Sequence, residues 1–264
     1  MDEKILCLDF GNTRQKAALF VNGNIEERYI FNKNILTGLQ HLITTYQPTH
    51  SILSSVINVD YSIEKFLATH TLYHKLNIAS KLNFTSPVGA PHTIGADRLA
   101  LACAAVHYYP GMHNLVISLG SCITYNFINK HHKFLGGAIS PGMHMRFKAM
   151  HNYTALLPMQ ELNQLTSFNK NNSTWHTQNL PLGGLGAPPL LAYDTATNLQ
   201  SGIIYGTAFE IDGFINAYKR KFANFNAILT GGNTLNFAPL LQNRIFADTD
   251  FLFKGLYAIA KENF

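Results

Sequence analysis

An aspartate stands where the first apolar segment ends. The sequence there reads LCLDFGNTRQKAALF, so an apolar run reaches Asp9, turns at Gly11 and continues into a second, half-apolar run. Glycine lets the backbone turn tightly, which allows successive N–H groups to approach a phosphate. A strand that only builds a core has no need of a carboxylate at its exit, so this stretch indicates a phosphate site.

The neighbouring side chains suit the same chemistry. Thr13 can donate a hydrogen bond from its hydroxyl to a phosphate, and Arg14 or Lys16 can add positive charge beside it. Asp9 can hold Mg²⁺, either directly or through water. The alternative interpretation is a plain hairpin, because Asp and Asn are common in turns.

A second carboxylate begins a predicted helix. In the tetrapeptide GADR, Asp97 and Arg98 follow Gly95, and residues 95–109 have the pattern of a helix that ends before Pro-Gly. Asp97 could accept the proton of a substrate hydroxyl, while Arg98 binds an anionic part of the substrate. The alternative is that Asp97 only caps the helix and that Arg98 lies on the surface.

A third stretch, ILTGG, is a strand that ends on two glycines. Without side chains, Gly231 and Gly232 would allow a nucleotide base or ribose to lie against the backbone. The alternative is an ordinary tight turn. The sequence contains none of the common phosphate-loop, dinucleotide or zinc motifs, so no standard nucleotide motif explains these three stretches.

The apolar periodicity predicts the elements that carry these residues. Strands are predicted over 4–10, 15–21, 25–31, 50–56, 71–78, 114–129 (two strands around a glycine turn) and 226–233. Helices are predicted over 35–46, 61–69, 95–109, 141–152, 195–220 and 251–263, with Pro141 opening the fourth.

The strand-turn-strand pattern occurs twice. Asp9 aligns with Ser118 and Gly11 aligns with Gly120, each pair 109 residues apart. Such a repeat predicts a duplication. We therefore predict two α/β domains, residues 1–111 and 112–264, with the boundary near Gly111.

Composition limits the class of protein. The chain has 264 residues, 47% of them apolar, a net charge of +5 and three cysteines. These values are typical of a globular cytoplasmic protein in a reducing compartment, without a signal peptide or a membrane span. The basic run Lys219–Lys221 is interpreted as a solvated helix end; a nucleic-acid patch is the alternative, but no aromatic-interleaved basic stripe accompanies it.

Taken together and in order, these motifs resemble those of type III pantothenate kinases, which belong to the sugar-kinase/heat-shock-70/actin superfamily. DFGNTRQK resembles the family's phosphate motif, GADR its catalytic motif, GSCIT its second phosphate loop and ILTGG its adenosine motif. Two further segments are similar to family segments, GGAISPGMHMRFKAMHNYTALLP at 136–158 and DTATNLQSGIIYG at 194–206.

The resemblance implies a fold and an activity. The expected fold is two duplicated ribonuclease-H-like, actin-like ATPase domains, each with a mixed five-stranded sheet flanked by helices. The expected reaction is ATP-dependent phosphorylation of pantothenate to 4'-phosphopantothenate, the first step of coenzyme A biosynthesis. Mg²⁺ and a monovalent cation, K⁺ or NH₄⁺, are the implied cofactors, and a homodimer with a shared active site is the implied assembly.

The resemblance also implies roles for single residues. Asp97 would be the general base. The implied pantothenate-binding residues are Val88, Gly95, Ala96, Asp97, Arg98 and Thr195, the last acting in the partner subunit's site. The implied ATP-binding residues are Asp9, Gly11, Asn12, Thr13, Arg14, Lys16, Ser121, Gly231 and Gly232, with Asp9 also serving Mg²⁺.

Three positions depart from the family pattern. Ser118 stands where an aspartate usually binds the monovalent cation, Val88 replaces a substrate-side tyrosine, and Ser121 replaces a common threonine. Two rival functions therefore stay open at this point: a regulatory accessory protein that has lost catalysis, and a kinase acting on a sugar or another small alcohol.

Overall fold

The structure is a computed structural model that describes residues 2–32, 34–87, 91–160 and 188–264. The strands within them are β1 (Lys4–Phe10), β2 (Gln15–Val21), β3 (Asn24–Ile30), β4 (His50–Ser55), β5 (Leu72–Lys75), β6 (His113–Leu119), β7 (Cys122–Ile128), β8 (Phe134–Pro141), β9 (Phe225–Thr230) and β10 (Phe246–Ala247). The α-helices are α1 (Ile35–Tyr46), α2 (Tyr61–His70), α3 (Ala96–Tyr108), α4 (Met143–Asn152), α5 (Thr195–Lys221), α6 (Thr234–Phe237) and α7 (Phe251–Asn263).

The first sheet has the strand order β3-β2-β1-β4-β5. β1 pairs antiparallel with β2 and parallel with β4, so the sheet is mixed. Its central strand is buried over Ile5–Leu8, whereas Asp9 near its end is half-buried. The sheet therefore brings a polar side chain to the carboxyl end of an apolar strand.

The second sheet repeats this order. Its strands lie as β8-β7-β6-β9-β10, with the first strand of the set again in the centre. β1 and β6 have the same burial pattern along seven residues, and Asp9 and Ser118 occupy the same half-buried position in it. The predicted pair of mixed five-stranded sheets flanked by helices is confirmed.

The chain forms two compact units that are discontinuous in sequence. One comprises Met1–Val116, Asn126–Gly137 and Asp250–Phe264, and the other comprises Ile117–Tyr125 and Ala138–Thr249. The last helix thus belongs with the first sheet, unlike in the predicted division at Gly111. The reason is close packing of α7 on α3: a Cβ on Gly255 would lie 2.0 Å from the Ala100 carbonyl oxygen.

Helix α3 is buried on every side rather than on one face. Eight consecutive residues, Leu99–Val106, are buried, and all are small or apolar. Cys103 is one of these buried residues, and Cys7 is buried in β1. Such complete burial is typical of a helix in a core, and it fixes the position of the residues at the start of α3.

Most predicted elements are present, with differences at their ends. The strand β8 and the short β10 were not predicted. The prediction that Pro141 opens a helix is wrong, because Pro141 ends β8 and Gly142 is the N-cap residue of α4. β5 is also shorter than predicted, ending at Lys75.

The basic run ends helix α5. Lys219, Arg220 and Lys221 are exposed in its last turn, where positive charge complements the helix dipole. Lys219 Nζ also hydrogen-bonds the Asn243 side chain. None of the helices that the structure describes combines the length and the apolar character that a membrane span requires.

Candidate active site

A row of three polar side chains crosses the first sheet. Asp9 on β1 pairs with Lys16 on β2 and with Ser54 on β4, and residues directly opposite each other lie on the same face of a sheet. Ser54 is fully buried, and its hydroxyl has no hydrogen-bond partner within the described structure. A buried hydroxyl without a partner beside a carboxylate is a feature of a site that is completed by a ligand.

The Asp9 carboxylate is unusually basic. Burial, reinforced by the negative charge of Asp97, raises the pKa of Asp9 to about 7, and the Lys16 ammonium only partly opposes this rise. A buried carboxylate whose ionised form is disfavoured by a nearby negative charge is one that a bound cation would stabilise.

Asp97 lies in the first turn of α3, two residues after the N-cap residue Gly95. Burial raises the pKa of Asp97, although backbone N–H groups and the Arg98 guanidinium favour its ionised form. A raised pKa makes this carboxylate a stronger proton acceptor than a solvated aspartate, as a general base requires.

Arg98 is held in place by two side chains that sequence analysis did not identify. Its Nε donates a hydrogen bond of 2.6 Å to Oδ1 of the buried Asn126, and its guanidinium lies 5.4 Å from the centre of the Phe134 ring. Arg98 is half-buried, so the alternative interpretation as a surface residue is wrong. Asn126 was detectable only as one polar residue in the apolar strand CITYNFI.

The loop between β1 and β2 is a tight, exposed turn. The Gly11 N–H donates to the Arg14 carbonyl oxygen over 3.1 Å, and Gln15 Nε2 donates to the Gly11 carbonyl oxygen over 3.0 Å. The three residues between Gly11 and Gln15 are exposed. Because the Gly11 N–H is already bonded, a phosphate would meet the exposed residues Asn12, Thr13 and Arg14 instead.

The second unit contains the loop that follows β6. The Gly142 N–H donates to the Ser121 carbonyl oxygen over 3.0 Å, and a Cβ on Gly142 would lie 2.3 Å from the carbonyl oxygen of Gly120. Gly142 therefore allows the start of α4 to contact this loop, and Ser121 is half-buried within it. Gly142 was not among the predicted site residues.

The two glycines after β9 differ from each other. Gly231 has φ +98°, and a Cβ on it would lie 2.6 Å from the Leu119 carbonyl oxygen, so only glycine fits. Gly232 is exposed, and a Cβ on it would meet no atom within 4 Å. Gly231 thus sets the backbone path, while Gly232 leaves an open surface.

The remaining predicted residues lie elsewhere or are not described. Thr195 is the exposed first residue of α5, whose N-cap Asp194 accepts a 2.9 Å hydrogen bond from the Thr197 N–H. Ala96 is buried in the first turn of α3. Val88 lies outside the described residues.

The residues around Asp9 fit a divalent cation. Asp9 supplies a carboxylate whose ionised form is disfavoured by burial and by the charge of Asp97, and the Ser54 hydroxyl on the neighbouring strand has no partner among the described residues. No group of three or more acidic, histidine or cysteine side chains able to hold a metal occurs within the described ranges. Mg²⁺ suits such a site, because it is commonly held by one or two carboxylates together with water and substrate phosphates.

Comparison with solved structures identifies the class of fold. The fold is that of the actin-like ATPases and sugar kinases. A glucokinase from an Antarctic psychrotroph superposes with a TM-score of 0.50 at 10% identity, covering 98% of this chain and 99% of the glucokinase. A putative Baf family transcriptional activator from Campylobacter jejuni superposes with a TM-score of 0.58 at 20% identity, covering 98% of each chain.

Sequence comparison identifies the family within that class. The type III pantothenate kinase family profile matches residues 5–217. The type III pantothenate kinase of Flavobacterium johnsoniae is 37% identical over 258 residues, covering 96% of this chain and 95% of its own. This chain belongs to the type III pantothenate kinase family.

Proposed function

We propose that this protein transfers the γ-phosphoryl group of ATP to the primary hydroxyl of pantothenate. One observation carries the proposal: a half-buried carboxylate of raised pKa, Asp97, adjoins Arg98 at the start of the buried helix α3. The hydroxyl that accepts the phosphoryl group must lose its proton to a base. The substrate also carries a carboxylate, which a positively charged side chain can bind. These two residues supply both from one rigid element.

Asp97 receives the proton of the attacking hydroxyl. Phosphoryl transfer passes through a loose transition state, so catalysis consists mainly of positioning and charge neutralisation. The base completes the transfer by accepting the proton that the attacking hydroxyl loses. Arg98 binds the carboxylate of pantothenate, and this contact orients the opposite end of the molecule towards Asp97.

Residues of the two phosphate loops would bind ATP. These are Asp9, Asn12, Thr13, Arg14 and Lys16, with Gly11 shaping the turn that presents them, together with Ser121, Gly231 and Gly232. Lys16 and Arg14 bring positive charge to the phosphates, and Gly232 offers an open surface for the nucleoside. Asp9 would hold Mg²⁺, which when bound neutralises charge on the phosphates.

We further propose that the active enzyme is a cytoplasmic homodimer in which Thr195 completes the partner subunit's pantothenate pocket. Two facts support this. Thr195 is exposed at the start of α5, and the helix is capped by Asp194, so the Thr195 side chain is not needed as the cap. Thr195→Val should raise the KM for pantothenate and leave the KM for ATP unchanged. Activity should also disappear on dilution below the dimer dissociation constant, and an active monomer would overturn the shared site.

An assay of ADP release, run with and without pantothenate, tests the proposed activity. We expect turnover that depends on pantothenate and on Mg²⁺. Absence of turnover with any alcohol would instead support a regulatory accessory protein, and turnover with sugars alone would support a sugar kinase. Val88, which replaces the family's substrate-side tyrosine, is the reason to include small alcohols and sugars.

A further inference from the structure

We infer that Ser54 is a positioning residue: its hydroxyl donates a hydrogen bond to the Asp9 carboxylate and fixes that carboxylate in the orientation that holds Mg²⁺. This inference deepens the proposed function and rests on it. It starts from two observations. The strand register places Ser54 directly beside Asp9, and the Ser54 hydroxyl has no hydrogen-bond partner among the residues whose positions the structure describes.

The two side chains lie on the same face of the first sheet. In the parallel ladder of β1 and β4, Asp9 is aligned with Ser54. The preceding pair, Leu8 and Leu53, belongs to the apolar core on the other face, since side chains alternate along a strand. Neighbouring strands lie about 4.8 Å apart. At that spacing, rotation about the side-chain bonds can bring a serine hydroxyl within hydrogen-bond distance of a carboxylate oxygen.

Helices cover this face of the sheet. α3 packs against β4, and α7 packs against both β1 and β4. Just beyond β4, the Val56 side chain lies 3.7 Å from the position that a Cβ on Gly95 would occupy, so the end of β4 lies beside the start of α3. Ser54 is completely buried there. Because bulk water does not reach it, the hydroxyl depends on neighbouring side chains for a hydrogen bond.

Another buried serine of the same strand does have a partner. Ser51 is as buried as Ser54, and its hydroxyl lies 2.6 Å from the Thr71 hydroxyl. A buried hydroxyl without a hydrogen bond destabilises a fold, so alanine would be the more stable residue at position 54 if the hydroxyl had no further role. The adjoining Asp9 carboxylate has two acceptor oxygens, and a hydroxyl is a donor that suits them.

Such a hydrogen bond would matter for a metal site. A carboxylate that binds a metal ion usually accepts hydrogen bonds from neighbouring groups, and these bonds fix its orientation. Lys16, opposite Asp9 on β2, supplies positive charge, but its long and flexible side chain does not define a direction. The short Ser54 side chain, held on a buried strand, can define one.

Binding of the non-hydrolysable ATP analogue AMP-PNP, measured by calorimetry in Mg²⁺ and again in EDTA, tests the inference without turnover. We expect Ser54→Ala to raise the Kd in Mg²⁺ about tenfold, the lower end of the range for losing a group that orients a metal ligand. The Kd in EDTA should stay unchanged, because Ser54 acts through the carboxylate that holds the cation. An unchanged Kd in Mg²⁺, or an equal rise in both media, would overturn the inference.

A double substitution tests whether Ser54 acts through Asp9. Asp9→Ala removes the carboxylate and should itself weaken AMP-PNP binding in Mg²⁺. Adding Ser54→Ala to that variant should change the Kd no further, because the group that the hydroxyl orients is then missing. A second tenfold loss in the double variant would mean that Ser54 acts independently of Asp9, contrary to the inference.

Ser51→Ala is the matched control on the same strand. It removes a hydroxyl that has a partner, so it should lower the midpoint of chemical denaturation and leave both Kd values unchanged. Ser54→Ala removes a hydroxyl without a partner, so its midpoint should stay the same or rise. A fall as large as that of Ser51→Ala, or failure to fold, would assign the Ser54 hydroxyl a structural role and overturn the inference.

The proposed function can fail separately from this inference. If AMP-PNP binding depends on Mg²⁺ and on Ser54 but pantothenate causes no ADP release, the proposed reaction is wrong and the role of Ser54 stands. If AMP-PNP binding by the unsubstituted protein does not depend on Mg²⁺, the cation site at Asp9 and the role of Ser54 are both overturned.

Discussion

The Asp97 carboxylate folds back over Gly95: a Cβ on that glycine would lie 2.5 Å from Asp97 Oδ1. The obstructing atom is the end of a side chain rather than backbone, so a larger residue at position 95 would displace the carboxylate and spare the helix. The absence of a side chain at Gly95 thus leaves room for the Asp97 carboxylate, the proposed general base.

Gly95→Ala should therefore separate activity from stability. We expect kcat to fall by about 10- to 100-fold, since a displacement of about 1 Å in a catalytic geometry has effects of that size. The free energy of unfolding should change by less than about 1 kcal/mol, the scale of N-cap substitutions. Gly213→Ala in α5, where a Cβ meets no atom within 4 Å, is the control and should leave kcat unchanged. An unimpaired Gly95→Ala enzyme would contradict the assigned carboxylate position.

The base itself can be tested by an isosteric change combined with a pH profile. Asp97→Asn should reduce turnover by about 10²- to 10⁴-fold while ATP still binds. Because burial raises the pKa of Asp97, the acidic limb of kcat/KM should lie above the ordinary aspartate pKa of 3.8. The base is active only when ionised, so activity must fall as the pH decreases through this limb. A variant that retains more than about a tenth of the wild-type rate would exclude Asp97 as the base.

In the second unit, Glu210 joins one helix to three other elements. Its Oε1 accepts hydrogen bonds from Tyr125 (2.8 Å) and Ser140 (2.5 Å), and its Oε2 accepts one from Arg146 (2.5 Å). Burial alone would raise the pKa of Glu210, but these hydrogen bonds outweigh it, so the pKa of Glu210 is lowered from 4.5. The ionised form is therefore the one that stabilises the fold.

Glu210→Gln should lower the free energy of unfolding by about 1 to 3 kcal/mol at neutral pH, the range for hydrogen bonds with charged groups. Since the folded-state pKa lies below the unfolded-state pKa, the stabilisation is complete above the unfolded-state value and is lost as the pH falls through the folded-state value. Chemical denaturation of both proteins at pH 7 and at pH 3 measures this. The difference between them should shrink at the lower pH, and a constant difference would argue against the ionic network.

Ser118, at the position where the family pattern has an aspartate, bears on whether the proposed activity depends on a monovalent cation. A hydroxyl offers one oxygen but no charge, so K⁺ or NH₄⁺ should activate weakly or only at high concentration. Rates across KCl and NH₄Cl, balanced to constant ionic strength with a bulky organic cation, measure this. Ser118→Asp should create or sharpen K⁺ activation. Saturation at low K⁺ in the unsubstituted enzyme would mean that other oxygens form the cation site.

Local patterns were sufficient to predict β1, β2 and α3. The strands follow from apolar runs on either side of a polar residue and a glycine, and the helix follows from its apolar pattern, which ends before Pro110 and Gly111. These patterns also predicted that Asp9 lies near the end of β1 and Asp97 at the start of α3, whereas the roles of both residues stay predictions. The roles of Asn126, Phe134 and Gly142 could not be predicted in this way, since each depends on a contact with a residue distant in sequence. Pro141 was misassigned because a proline at the end of a strand and one that opens a helix have the same local signature.

The packing of Gly255 on Ala100 has a consequence for the order in which the protein can be made. Helix α3 carries Asp97, yet it lacks part of its enclosing surface until α7 is present, and α7 lies more than 140 residues further along the chain. During synthesis the first sheet therefore leaves the ribosome long before α7 is available. Part of the apolar surface of its unit stays uncovered until that helix has been made. The helix that carries the proposed base is fully enclosed only when residues 251–263 have been synthesised.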